Sequence, residues 1–273
     1  MVYQLTTAKV WDGAAWQDAV GGGISVEYLV IAGGGGGGNG SGGDRGGGGG
    51  AGGYRCSRVG ENTGGGLPAE SHFLAIKGTS YTVTVGAGGS GTGSVAPGST
   101  GSLSAFGLAQ SIGGAGGAPQ RSTASGTGGS GGGGGGQGIN HTNVGSVGIV
   151  GQGFAGGTSS GTNQNGGGGG GAGGAGALPA AGVGVSSSIT GASVTRSVGG
   201  RGDNTTSGGS NTGTGGGGAT TTSGNGGSGI VIIRFPTAIG SPTIGGGLTS
   251  FSTISGIDTI ITFTAGTDTV VWN

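Results

Sequence analysis

Val26-Glu27-Tyr28-Leu29-Val30-Ile31-Ala32 runs without a break into six glycines, Gly33 to Gly38. The first half is rich in β-branched and aromatic residues and reads as a strand. The second half carries no side chains, and a helix through it would lose about 1 kcal/mol per Gly relative to Ala. Tyr81-Thr82-Val83-Thr84-Val85 and Gly229-Ile230-Val231-Ile232-Ile233-Arg234-Phe235 read as strands in the same way. Together the three open, punctuate and close a region in which Gly fills 16 of 21 positions in 33–53, 10 of 13 in 126–138, 10 of 16 in 161–176 and 11 of 22 in 208–229.

Of the 273 residues 86 are Gly and only 7% are charged, so a side-chain core cannot organise the middle of the chain and an ordinary globular enzyme is not expected. A collagen helix needs Gly at every third position with abundant Pro, whereas here Gly comes in unbroken runs with six Pro in all. Composition leaves a flexible linker or a bundle of left-handed extended helices of the polyglycine II kind. In the bundle, N–H and C=O groups must find partners on neighbouring segments, which side-chain-free Gly allows to come close. Ordering so many Gly is entropically unfavourable, and a dense lateral lattice of hydrogen bonds could offset it. The expected fold is therefore a glycine-rich bundle of extended left-handed helices with a few β-strands.

Outside that body the composition is nearer normal. Residues 1–24 hold Lys9-Val10-Trp11-Asp12-Gly13-Ala14-Ala15-Trp16, two Trp around an Asp-Gly turn, and are expected to form a docking hairpin. Residues 25–237 are the glycine-rich body. Residues 238–273 alternate apolar residues with Thr, as in Thr259-Ile260-Ile261-Thr262-Phe263-Thr264, and are expected to form a C-terminal β module. Short terminal elements with exposed aromatics suit subunit contacts, so Trp11, Trp16, Phe263 and Trp272 are the residues expected to make them.

The phrase Val26 to Gly38, then Gly46-Gly47-Gly48-Gly49-Gly50-Ala51-Gly52-Gly53-Tyr54, then Tyr81 to Gly89, closing with Gly226-Gly227-Ser228-Gly229 and Ile230 to Phe235, resembles the glycine-rich domain of bacteriophage tail and tail-fibre proteins. The Trp-containing opening is similar to that of many such proteins. A more distant likeness is to polyglycine-helix adhesins at the tips of tail fibres, where the segments between Gly motifs form receptor-binding loops. The resemblance implies a virion protein, assembled in the host cytoplasm beside other virion proteins, trimeric by analogy to fibres, and binding a host surface glycan or protein. A non-binding capsid or baseplate decoration is the alternative. An ice-binding protein is a third class, although strict Gly-x-x repeats with disulfides are missing.

Other motifs carry less. Gly33, Gly35 and Gly38 satisfy a dinucleotide-binding pattern, but no helix follows to receive a pyrophosphate. Arg201-Gly202-Asp203 reads as a turn in a polar spacer. Three Asn-x-Ser/Thr triplets, beginning at Asn39, Asn140 and Asn204, lack a secretory context, and no leader or membrane span is read from the chain. With nine basic and nine acidic residues spread singly, nucleic acid is not an expected partner. Cys56, His72 and His141 stand in no spacing that suits nucleophilic or metal chemistry, so no catalytic residue, metal ligand or cofactor is nominated. The polar spacers between Gly segments remain as binding sites, with Tyr54, Arg55, Arg58, Arg121, His141, Arg201 and Asp203 as receptor-contact residues at one end of the body.

Overall fold

A computed structural model of the chain describes residues 9–11, 16–18, 23–124, 126–137, 141–161 and 164–273. In chain order its strands are β1 (Lys9–Trp11), β2 (Trp16–Asp18), β3 (Ile24–Ile31), β4 (Tyr54–Cys56), β5 (Phe73–Ala75), β6 (Ser80–Thr84), β7 (Ser104–Phe106) and β8 (Ala109–Ser111). There follow β9 (His141–Asn143), β10 (Ser159–Gly161), β11 (Val185–Ser187), β12 (Val194–Arg196), β13 (Ile230–Pro236), β14 (Thr243–Ile244), β15 (Leu248–Ser255) and β16 (Asp258–Val271).

Ten of these form one antiparallel sheet in the order β4-β3-β13-β16-β6-β7-β8, with β5 added to β3 and β14 and β15 added to β16. The sheet curls until its ends nearly meet. The Ser111 hydroxyl on β8 donates to the Val30 carbonyl on β3 at 2.7 Å, and the Gly53 N–H beside β4 donates to the Ile112 carbonyl at 2.9 Å. The result is a nearly closed barrel-like sheet. β16 is long enough to serve two sets of neighbours: Asp258 to Phe263 pair with β13, and Thr267 to Val271 pair with β6. Gly266 lies between, at φ +96°, a backbone region that L side chains rarely enter.

Strand periodicity explains why the apolar runs are continuous rather than alternating. Val26, Tyr28 and Val30 of β3 join Val231, Ile233 and Phe235 of β13, with Phe263 and Trp272, in a core inside the curl. Leu29 and Ile31 point the other way and pack with Ile230, Ile232, Ile260, Tyr54 and Ile189 in a second core. The central strands are buried on both faces.

These findings correct the expected fold class. The architecture is β, organised by the curled antiparallel sheet, and it is not a helical bundle; the helical turns among the described residues are the single 3-10 turns Gly64–Gly66 and Thr237–Ile239. The physical reason lies in the apolar runs: strands that can bury both faces gather into a sheet, and the Gly segments attach to it as extended chain. C-terminal residues take part in that sheet through β16.

The Gly segments nonetheless have orderly backbone partners. Donors at Gly33, Gly36 and Asn39 go to carbonyls of Ser102, Ser99 and Ala96. Donors at Gly34 and Gly37 go to Gly227 and Gly224, and those at Gly35 and Gly38 go to Gly50 and Gly47. Each neighbouring segment is thus addressed at every third residue. At many positions no side chain fits between such segments: a Cβ on Gly133 would overlap the Gly167 carbonyl, and one on Gly168 would overlap that of Ala180.

Candidate functional site

Because β3 feeds directly into Gly33 and the chain reaches Asn39 only beyond the glycines, the body has a sheet end and a far end. The residues expected to contact a receptor divide between them.

Tyr54, Arg55 and Arg58 stand at the sheet end. Tyr54 is fully buried in the second core, so it is no contact residue. Arg55 grips Glu70 through Nε, at 2.9 Å to Oε1 and 3.0 Å to Oε2, and the Tyr28 hydroxyl donates to the same carboxylate at 2.8 Å. Burial works to raise the Glu70 pKa, but the Arg55 and Tyr28 hydrogen bonds outweigh it and hold the carboxyl below its ordinary range. Glu61 is held down likewise against its burial, by Ser187 and by Ser188, whose N–H and hydroxyl both donate to Oε1 at 2.7 Å. Burial pushes the Cys56 thiol up to about 12, so it stays protonated and unreactive at neutral pH. These contacts fasten the 55–70 segment and the β11–β12 hairpin onto the sheet.

Arg58 belongs to a neighbouring charge network. It pairs with Glu27, which also lies 3.8 Å from Arg234, and Arg234 pairs with Asp258 at 2.9 Å. His72 Nδ1 meets the Ser25 hydroxyl at 2.9 Å, while His72 Nε2 is 3.8 Å from Glu27. A cavity of about 200 Å³ lies among these groups. Ser, His and Glu in sequence suggest a hydrolytic triad, but 3.8 Å is beyond hydrogen-bond reach and Glu27 is engaged by Arg58. The arrangement performs as a brace between strand ends.

Arg121, Arg201 and Asp203 stand at the far end, and the fold brings them together with residues far away in the chain. Arg121 Nε donates to Asp44 at 2.9 Å, with the Arg121 side chain 64% exposed and that of Asp44 4% exposed. Arg201 holds Asp203 bidentately at 2.8 and 2.7 Å, which keeps the Asp203 carboxyl below its ordinary range. Arg45 donates to the Asp203 carbonyl at 2.8 Å, Gln120 accepts from the Ser41 N–H, and the Asn39 amide donates to the Thr221 carbonyl. β9, which carries His141, lies beside this end, where Asn143 Nδ2 donates to the Gly135 carbonyl at 2.7 Å. The His141 side chain falls outside the described residues. Guanidinium and amide groups presented here are chemistry suited to hydrogen-bonding a polar surface.

The expected subunit contacts need correction. Phe263 and Trp272 are 0% and 1% exposed, filling the inner core, because β16 is paired on both sides. The large apolar residues that this region exposes most are Phe251 and Ile254 on β15 and Ile257 in the turn after it. β1 pairs with β2 so that Trp11 stands opposite Trp16, while residues 12–15, where the Asp-Gly turn is expected, and both Trp side chains lie outside the described residues. Among the described residues no three His, Cys, Asp or Glu gather as metal donors would.

A family model described as a glycine-rich domain matches residues 9–236. No curated protein matches the chain.

Proposed function

The chain belongs to the glycine-rich domain family, and on the resemblance of its glycine-rich body to that of tail proteins we propose that it serves in a bacteriophage virion as a tail protein, a tail fibre or fibre tip whose far end binds the host cell surface. The observation that carries this reading is the gathering of Arg45, Arg121, Arg201 and Asp203 at the end of the body remote from the sheet. Along the flanks, backbone groups are committed to neighbouring segments and side chains are few, so they lack the anchors that dominate binding energy. In this reading the sheet end faces the particle, with residues 1–24, including Trp11 and Trp16, docking to another virion protein or to copies of the chain in a trimer. The host ligand is a surface glycan or protein.

The test is adsorption. Phage carrying Arg121→Ala with Arg201→Ala should assemble normally and adsorb to host cells at least tenfold more slowly. Adsorption at the parental rate by assembled particles would instead make the protein a non-binding structural component of the virion.

A further inference from the structure

Beside the far end lies a groove of about 480 Å³, within the size range of small-ligand sites, and its lining carries no formal charge. Its floor is fixed by groups that bond the protein itself. Buried Ser223 donates to the Gly37 carbonyl at 2.7 Å and accepts from the Thr92 N–H at 2.7 Å. Asn225 Oδ1 accepts from the Gly91 N–H at 2.8 Å, and the Ser207 hydroxyl accepts from the Asn225 N–H at 3.1 Å. The rim is different. Thr205 and Thr222 are exposed, and their hydroxyls have no partner among the described residues; the same is true of Asn225 Nδ2. Thr222 Oγ1 faces Gly93 across the groove, where even a Cβ would leave 3.9 Å.

We propose that this groove binds a neutral sugar unit, a reading that rests on the host-binding function and names its ligand class. A threonine hydroxyl donates and accepts, as sugar hydroxyls do, and its methyl offers an apolar contact to a pyranose C–H face. The fixed floor supplies preorganisation, so binding orders few groups. An anionic sugar would find no cation in the lining, and the nearby Arg201 is already held bidentately by Asp203. The groove adjoins the far end through the Asn39 contact with Thr221, so a surface polysaccharide could touch both.

The experiment uses the full chain against arrayed neutral gluco-, galacto- and manno-oligosaccharides and their sialylated or phosphorylated counterparts, followed by titration of the ligands retained. Neutral oligosaccharides should bind. T205V combined with T222V should weaken that binding at least tenfold with an unchanged melting temperature, and T205S with T222S should restore it. Retention of anionic ligands alone, or neutral binding that the valine pair leaves intact, would overturn the groove assignment. If no oligosaccharide is retained while virions still adsorb through Arg121 and Arg201, the groove is overturned and the host-binding reading stands. If the chain arrests ice-crystal growth and retains no sugar, the hydroxyl row addresses ordered water and the assignment falls.

Discussion

Val30, Ile233, Phe263 and Trp272 in the curled sheet are buried to within 1% of completely, and Gly36, Gly133 and Gly168 in the glycine-rich segments are buried too, with no side chain to bury. In the sheet, apolar side chains leave water and interlock. Among the glycines, backbone carbonyls and amides of adjacent segments approach so closely that their mutual hydrogen bonds are the packing. One region is damaged by taking atoms away and the other by adding them.

Substitutions in both directions put this to the test. Trp272→Ala or Phe263→Ala should lower unfolding free energy by about 3–5 kcal/mol, read by denaturant titration. Gly133→Val should lower it by about 3 kcal/mol or more, since the obstructing atoms belong to backbone and cannot change rotamer. If the valine variant unfolds at the parental midpoint, the close-packed account of the segments is wrong. The same Gly→Val change at exposed Gly246, where nothing lies within 4 Å, should leave the midpoint nearly unchanged.

pH sharpens the comparison further, because most of the titratable groups with shifted values lie where side chains do the packing. Glu61 and Glu70 are held below their ordinary values, so their contribution is complete above about pH 4.3 and is lost as pH falls through their folded values. Cys56 is raised to about 12, so folding favours its neutral form and stability declines as pH climbs past the unfolded thiol value of about 8.5. Melting temperature against pH should show a plateau between those limits, and Glu70→Gln should flatten its acid side. An acid limb unaltered in Glu70→Gln would remove Glu70 from the account.

The smallest effect belongs to the far end. Arg201→Ala breaks a surface ion pair and should cost about 0–1 kcal/mol. A larger loss in a thermal melt would mean that Arg201 holds the end together instead of being displayed there.

Much of the sheet was legible in the sequence, because β3, β6 and β13 are runs of β-branched and aromatic residues that form strands in almost any context. What those strands would pair with was not. β16 reads as apolar residues alternating with Thr in a C-terminal module, and Trp272 is expected at a subunit contact, whereas Tyr81 of β6, far back in the chain, packs edge-on against it. Asp44 and Arg121 are 77 positions apart and meet only because the glycine segments deliver them to one end. Thr205 and Thr222 gave no signal, since Thr is common here and their distinction is a hydroxyl left without a partner. The glycine runs suggested helices because local propensity excluded other regular structure, whereas the fold class was decided by apolar burial elsewhere.

The return of each backbone donor to the same neighbour at every third residue constrains how such a chain can change in length. Inserting one residue after Gly35 would turn each later amide of that segment toward the wrong neighbour, while inserting three would shift the pattern by one full repeat and leave every direction intact. Length changes in these runs are therefore expected in triplets, nine nucleotides at a time, and made in step in adjoining segments, so that the reach of the far end from the sheet changes in discrete steps while every donor keeps its neighbour.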